Sequence, residues 1–479
     1  MAISLKKAAI INAASKYMSI LLGIGFTMIL ARILTPEDYG VVAVTAVFTN
    51  FFAMFSDMGV SNGIIQYKKL TKYDVASIFS LTGILGGFLG LSFFAFSFII
   101  ADFYNNEVYV PLGAILAINL LFSTWNIVPN ALLLKDKQFV LLAKRNVIIP
   151  FVTSVITVII ALWGMKYYAL VLQSLLSVFL LFAYNWYTAR EKYDLYVMRK
   201  IYFGGVRKIF GYSAYQFLFS VINYFSRNLD SLLIGRVWGA QALGFYDKAY
   251  RLMCYPNNSL THVITPVLQP ILSDYQDDKV YIYEKYIKLL KFLSLIGMFI
   301  MVFCYASAHD IIYVMFGNQW GDAVPYFEML SLAVWAQLTL TTTGSIFQSV
   351  GDTKRLFITS CINTSIMILA ILSGIVANDL WQLSCNVMIA FNVQLFVSMY
   401  ILVKITLNQK LGGFICKFCI DLWMGVLLAF TAYMIESYLP NFEFLSLICR
   451  LLVLGVIYVG FCKVFNQDKY LFITCRKEG

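Results

Sequence analysis

The stretch "LARILTPEDYGVVAV", residues 30–44, sets one arginine and two acids between two long apolar runs. A second stretch, "LIGRVWGAQALGFYD" at 233–247, has the same outline: Arg32 precedes Gly40 and Arg236 precedes Gly244 by the same spacing, and the copies are offset by 204 residues. Locally the first copy reads as the capped start of a helix. Thr35 suits an N-cap, Pro36 the first helical position, and Glu37 and Asp38 the positive end of the helix dipole. Gly40 and Gly244 are expected to permit the bend into the apolar run that follows.

What surrounds these elbows decides the class of the fold. The chain has 479 residues, 60% of them hydrophobic and only 13% charged, whereas globular domains carry about 25% charged residues. Its apolar residues fall in runs of about 18 to 28, long enough to cross a bilayer as helices. The expected fold is therefore an all-α polytopic membrane protein. Fourteen spans are expected, at about 9–34, 41–62, 77–101, 109–133, 146–163, 167–188, 209–235, 244–272, 289–307, 324–349, 356–376, 380–403, 413–435 and 444–462. The first run is too long for a signal-peptide core and lacks a cleavage motif, so it is expected to stay as a span.

The formal net charge of +11 acquires its meaning once the basic residues are sorted by side. Of 36 Lys and Arg, 26 fall on the amino terminus, every second connection and the carboxyl tail. The alternate side carries only Arg32, at the very end of the first span, Lys166 and Arg236, and seven further basic residues fall within spans. The positive-inside rule then places both termini in the cytoplasm. The charge is a topology signal, and nucleic acid is not an expected partner.

The two elbows lie between spans 1 and 2 and between spans 7 and 8. An offset of six spans preserves orientation, which describes a parallel repeat about an axis along the membrane normal. Lobes are expected at 1–206 (spans 1 to 6) and 207–408 (spans 7 to 12), with 409–479 adding spans 13 and 14. Arg32 and Arg236 then read as anchors at the outer edge.

Ionisable residues inside a span cost about 2.5–3.5 kcal/mol at the bilayer centre and usually face a cavity or a partner. In span 7, Gln216, Ser220, Asn223, Arg227 and Asp230 share one helical stripe, and in span 8 Asp247, Arg251, Cys254, Asn258 and His262 share another. Span 1 offers Asn12 and Lys16, and span 2 offers Asn50 and Asp57. These stripes suit a central polar cavity. Plainer readings apply to each: Arg227 and Asp230 can pair across one turn, Lys16 and Arg251 can snorkel, and His262 can be a packed residue. Pro256, Pro266, Pro270 and Pro129, with Gly23 and Gly25, sit where they could bend helices.

Several chemistries lack their signatures. There is no G-x-x-x-x-G-K-[ST] loop, no H-E-x-x-H and no G-x-S-x-G. Two histidines leave little for a zinc site, and "CKFC" at 416–419 has no partner pair, so it reads as packing. No cofactor, no metal and no catalytic residue is expected.

Five strings carry a resemblance to a known family: "LARILTPEDYGVVAV", "FSDMGVSNGIIQ" at 55–66, "NYFSRNLDSLLIGRVWGAQALGFYDKAYRLM" at 223–253, "ITPVLQPILS" at 264–273 and "FGNQWGDAVP" at 316–325. With them the chain resembles the Wzx-type polysaccharide exporters of the multidrug, oligosaccharidyl-lipid and polysaccharide superfamily, in the colanic-acid and teichuronic-acid branch. The resemblance implies a flippase of the bacterial cytoplasmic (inner) membrane that moves undecaprenyl-diphosphate-linked oligosaccharide to the outer leaflet for capsule, exopolysaccharide or O-antigen synthesis. It implies a lipid-linked oligosaccharide and membrane lipids as partners, with glycan polymerase and glycosyltransferases as neighbours in the pathway. Arg227 and Asp230 match the family's "RNLD" pattern, and Arg251 matches "AYRLM". Substrate contacts are expected at Asn12, Lys16, Asn50, Asn223, Arg227 and Arg251, and ion coupling at Asp57 or Asp230. The alternatives are a cation-coupled drug exporter of the same superfamily, a membrane glycan polymerase or ligase, and an assembly scaffold. Basic rather than acidic cavity residues and short outward connections weigh against the first two.

Overall fold

In the lipid interior every backbone N–H and C=O must be satisfied within its own segment, which leaves helices as the answer for apolar runs of this length. The computed structural model describes residues 5–57, 60–67, 70–193, 195–198, 214–438, 440 and 442–471, and no strand occurs among the described residues. In chain order the first helices are α1 (Leu5–Ile33), α2 (Pro36–Asp57), α3 (Val60–Gln66), α4 (Lys72–Tyr104), α5 (Tyr109–Trp125), α6 (Ile127–Lys135), α7 (Phe139–Leu162) and α8 (Lys166–Tyr193). After them come α9 (Ala214–Val237), α10 (Gly239–Ser273), α11 (Lys279–Ala306), α12 (Ala308–Phe316), α13 (Val324–Ser331), α14 (Val334–Leu340), α15 (Thr343–Ser349), α16 (Thr353–Ala377), α17 (Leu380–Met399), α18 (Leu411–Ile435), α19 (Glu443–Val464) and α20 (Asp468–Leu471).

Eleven of these helical segments are long and apolar enough to cross a membrane. They match eleven of the fourteen expected spans. The other three expected spans fall on α9 and α10, which carry the polar stripes, and on 324–349, which is broken into helices of seven or eight residues. The chain is a multi-pass membrane protein.

The contacts divide the chain into two compact units, Met1–Gly244 and Phe245–Gly479. The first has its main core where Val75, Phe79, Val128, Leu132 and Phe182 pack. Trp125 stacks there between Phe79 and Phe182, with ring centroids 5.4 and 5.0 Å away. The second unit has a core around Tyr286, Leu290, Trp335, Phe347 and Leu402, and a further cluster where Leu295, Met424, Leu428 and Leu454 join α11, α18 and α19.

Helix starts follow their local chemistry. At the first elbow Thr35 Oγ1 accepts the Asp38 backbone N–H (3.2 Å), while Asp38 Oδ2 accepts the backbone N–H and hydroxyl of Thr35 (both 2.9 Å), a reciprocal cap. The same pattern recurs with Thr71 and Asp74 at α4. The expected cap and the position of Pro36 agree with the structure.

The expected bends at Gly40 and Gly244 do not. Both glycines sit inside continuous helices, α2 and α10, and the turn before α10 is made by Gly239, whose φ of +84° suits a residue without a Cβ. Gly40 and Gly244 serve a different purpose. A methyl on Gly40 would run into the carbonyl of Ala240 and lie 3.1 Å from its Cα, and one on Gly244 would run into the carbonyl of Pro36 and lie 3.2 Å from its Cα. Glycine is demanded here by helix-to-helix approach, as in small-xxx-small packing between membrane helices. In the fourth expected span, α5 ends at Trp125 and α6 starts at Ile127, with Pro129 in the first turn of α6 where its missing N–H costs nothing.

Candidate functional site

Among the helices with charged stripes, α9 lies beside α2. The Tyr224 hydroxyl donates to the Val47 carbonyl (2.5 Å), and the Phe51 and Tyr224 rings lie 6.2 Å apart. Asn50 lies one turn beyond Val47 on α2 and Arg227 one turn beyond Tyr224 on α9, both exposed; Val44 lies against Gly235, so the helices run antiparallel and the two residues fall on opposite sides of the Val47–Tyr224 contact. The expected sugar-contacting amide and the expected diphosphate-binding guanidinium are thus carried by neighbouring helices.

The remaining candidates separate by burial. Lys16 is exposed on α1, and Arg251 is exposed on α10. Arg251 is not a bare cation: its Nε lies 2.6 Å from Asp247 Oδ2, one turn earlier. Asp57 is exposed and its Oδ1 accepts the Ser61 backbone N–H (2.9 Å), so it helps to start α3. Asp230 is buried and its Oδ1 accepts the Ser231 backbone N–H (2.8 Å). The side chains of Asn12, Gln216, Ser220, Asn223 and His262 lie outside the described residues.

Three buried polar clusters escaped the sequence reading. In the first unit, Arg145 of α7 is buried and bonded entirely to amides. It donates through Nη1 to Asn185 Oδ1, through Nη2 to Asn130 Oδ1 (2.7 Å) and through Nε to Asn146 Oδ1 (3.4 Å), and Asn185 in turn donates to Asn126 Oδ1 (2.7 Å). The span expected at 146–163 begins one residue too late to include Arg145, whereas the helix begins at Phe139. That boundary hid a buried arginine on the same helix.

In the second unit, Lys291 of α11 pairs with Asp421 of α18, both fully enclosed. Ser294 donates to the other carboxylate oxygen (2.6 Å), and the Trp335 indole donates to Ser294 Oγ (2.8 Å). Both ionic residues fell within expected spans, but they are 130 positions apart, and no stripe on one helix reveals a partner on another. The third cluster joins Asp310 to Ser446 (2.7 Å) and brings the buried Arg450 to 4.0 Å. Lys248, another basic residue within an expected span, is buried with its Nζ 5.5 Å from the Phe316 ring centroid and 5.8 Å from that of Trp320. These buried groups hold helices together, whereas Lys16, Arg227 and Arg251 are exposed on their helices.

The lipopolysaccharide biosynthesis protein WzxC of Escherichia coli (strain K12) is 23% identical over 417 residues, which cover 85% of this chain and 82% of that one. The teichuronic acid biosynthesis protein TuaB of Bacillus subtilis (strain 168) is 24% identical over 394 residues, 79% of each chain. Among solved structures, the lipid II flippase MurJ in an inward closed conformation superposes with a TM-score of 0.76 at 14% identity, covering 96% of this chain and 99% of that one. At that identity the likeness speaks for the fold. A family model described as polysaccharide biosynthesis protein matches residues 29–325, more than half of the sequence, and the chain belongs to that family.

Proposed function

We propose that the protein is a flippase of the bacterial inner membrane that carries an undecaprenyl-diphosphate-linked oligosaccharide from the inner to the outer leaflet. Its lobes would be residues 1–206 and 207–408, alternating in access, with 409–479 appended. The observation that carries the reading is the exposed Arg227 on α9, a helix packed beside α2 and its exposed Asn50. A guanidinium presents a planar fork of donors to phosphate oxygens, and in a site with few waters its attraction for an anion far exceeds that in bulk water. Lys16 and Arg251 would add to that field, and Asn12, Asn50 and Asn223 would meet sugar hydroxyls. Asp57, exposed at the start of α3, and Asp230, buried on α9, would be the two candidates for a coupling proton or cation.

The relatives' printed roles in lipopolysaccharide and teichuronic acid biosynthesis support a glycan-lipid substrate, and the MurJ-like fold supports translocation rather than catalysis. A glycosyltransferase would supply the substrate and a polymerase would consume it. Exposed basic side chains weigh against a drug exporter for cationic substrates. The test is Arg227→Ala in cells that depend on this protein for surface glycan. Export should fall at least tenfold, as expected for about 1.4 kcal/mol or more of lost binding, with membrane abundance unchanged. Full export at equal abundance would contradict the role.

A further inference from the structure

Asn146 breaks the pattern of its own helix. Along α7, Leu142, Asn146, Ile149, Thr153 and Thr157 follow at steps of four, three, four and four, which puts them on one stripe. Leu142, Ile149, Thr153 and Thr157 are buried, whereas Asn146 is exposed. The lipid-facing side of α7 is carried elsewhere, by the exposed Ile148, Phe151, Val155 and Leu162. Polar side chains within membrane helices face the protein interior or a watery cavity. An exposed amide on the packed stripe therefore borders an opening between helices.

The helix beside that opening is α1. The Ser19 hydroxyl lies 2.9 Å from the Asn146 backbone carbonyl, and further along the Phe26 and Phe151 rings meet edge to face, with centroids 5.7 Å apart. Both contacts advance in the same direction, so α1 and α7 run parallel. The side of α1 turned to α7 also carries Lys16, which stands three positions before Ser19 and is exposed. The connection that precedes α7 is one of the basic ones, which the positive-inside rule places in the cytoplasm. Asn146 follows the first residue of α7, Phe139, by about 10 Å along the helix axis.

The orientation of the Asn146 amide is set from behind. Arg145 Nε donates to Asn146 Oδ1 (3.4 Å), and Arg145 is buried and held by Asn130 and Asn185. A guanidinium has donors only, so the amide oxygen faces it and the amide N–H groups turn away from it. The Lys16 ammonium is likewise a donor without an acceptor. Neither α1 nor α7 contains an aspartate or glutamate. The seam between them thus offers donors and positive charge, and the group that matches it has acceptors, negative charge and no donor of its own. A sugar hydroxyl would call for both kinds of partner. We infer that Asn146, together with Lys16, forms a loading seat for the diphosphate of the lipid-linked substrate at the cytoplasmic end of the α1–α7 seam, in addition to Arg227 on α9.

The inference rests on the flippase reading and can fail without it. Binding of undecaprenyl diphosphate that carries no sugar is measured on the purified full-length protein in detergent, alongside its melting temperature. Asn146→Ala should weaken binding by about tenfold, the loss of one hydrogen bond to a charged acceptor. Asn146→Asp is the sharper variant. Its carboxylate has nearly the size of the amide and still accepts from Arg145, so the protein should melt at or above the parent temperature. A negative charge would now meet the diphosphate, and binding should fall at least as far as with Asn146→Ala. If Asn146→Asp binds as the parent does, or loses binding only in step with a lowered melting temperature, Asn146 merely packs α1 against α7 and the inference is wrong while the flippase reading stands. A stable parent protein that binds no undecaprenyl diphosphate would overturn the flippase reading itself.

Discussion

Arg251 and Asp247 lie one turn apart on α10, with Nε 2.6 Å from Oδ2. An acid placed four residues before a base is the favourable order on a helix, so Arg251 is held in place and its charge partly offset. A diphosphate approaching Arg251 competes with its own neighbour. Such a pair is worth about 0.3–1 kcal/mol, and Asp247→Asn should therefore tighten binding of a polyprenyl diphosphate by about two- to fivefold. Arg251→Ala should weaken it. Equilibrium binding to the detergent-solubilised protein checks both, and equal affinities across the three forms would remove Arg251 from the site.

The pair Lys291–Asp421 makes the opposite kind of prediction. Removing one member leaves the other charged and enclosed, at a cost of about 3–5 kcal/mol, while replacing both by apolar residues of similar size is often neutral. Lys291→Ala and Asp421→Ala should each lower the unfolding temperature sharply, and Lys291→Met with Asp421→Leu should recover most of the loss. Single variants that melt like the parent would mean that the pair does not tie α18 to α11.

Arg145 differs because its partners are amides and not acids. The fork geometry, more than the charge, satisfies Asn130 and Asn185 together, so Arg145→Lys should not restore what Arg145→Ala removes. Bonds to a charged donor are worth about 1.5–3 kcal/mol, and a loss of that size is expected for both variants in chemical or thermal unfolding. A lysine variant as stable as the parent would refute the geometric argument.

At the first elbow, Thr35→Ala removes the acceptor for the Asp38 backbone N–H. N-cap losses of this kind cost about 1 kcal/mol. A modest fall in melting temperature with normal export is expected, and a Thr35→Ser variant should behave as the parent.

The elbows also show how far sequence alone reaches. Thr35, Pro36 and Asp38 could be read because an N-cap is settled by neighbours within one turn. Gly40 and Gly244 were misread as bends because what excludes a side chain there lies some 200 positions away on another helix. The long apolar helices were legible because hydropathy acts run by run, whereas α9, α10 and 324–349, rich in polar groups or broken, only partly resemble membrane spans. Of the site, the polar stripes were legible as periodicity. The pairing of Arg251 with Asp247 was implicit in the stripe they share. The cages around Arg145 and Lys291 were not, since each draws on two or three helices.

The most direct test of the account is translocation by the purified protein in liposomes. A fluorescent undecaprenyl-diphosphate oligosaccharide is placed in both leaflets, and the fraction open to a membrane-impermeant quencher or glycosidase is followed over time. The account predicts that the protected fraction decays with the parent protein and persists with Arg227→Ala or with empty liposomes. Protection that persists with the parent protein, correctly folded and supplied with a proton or sodium gradient, would contradict it.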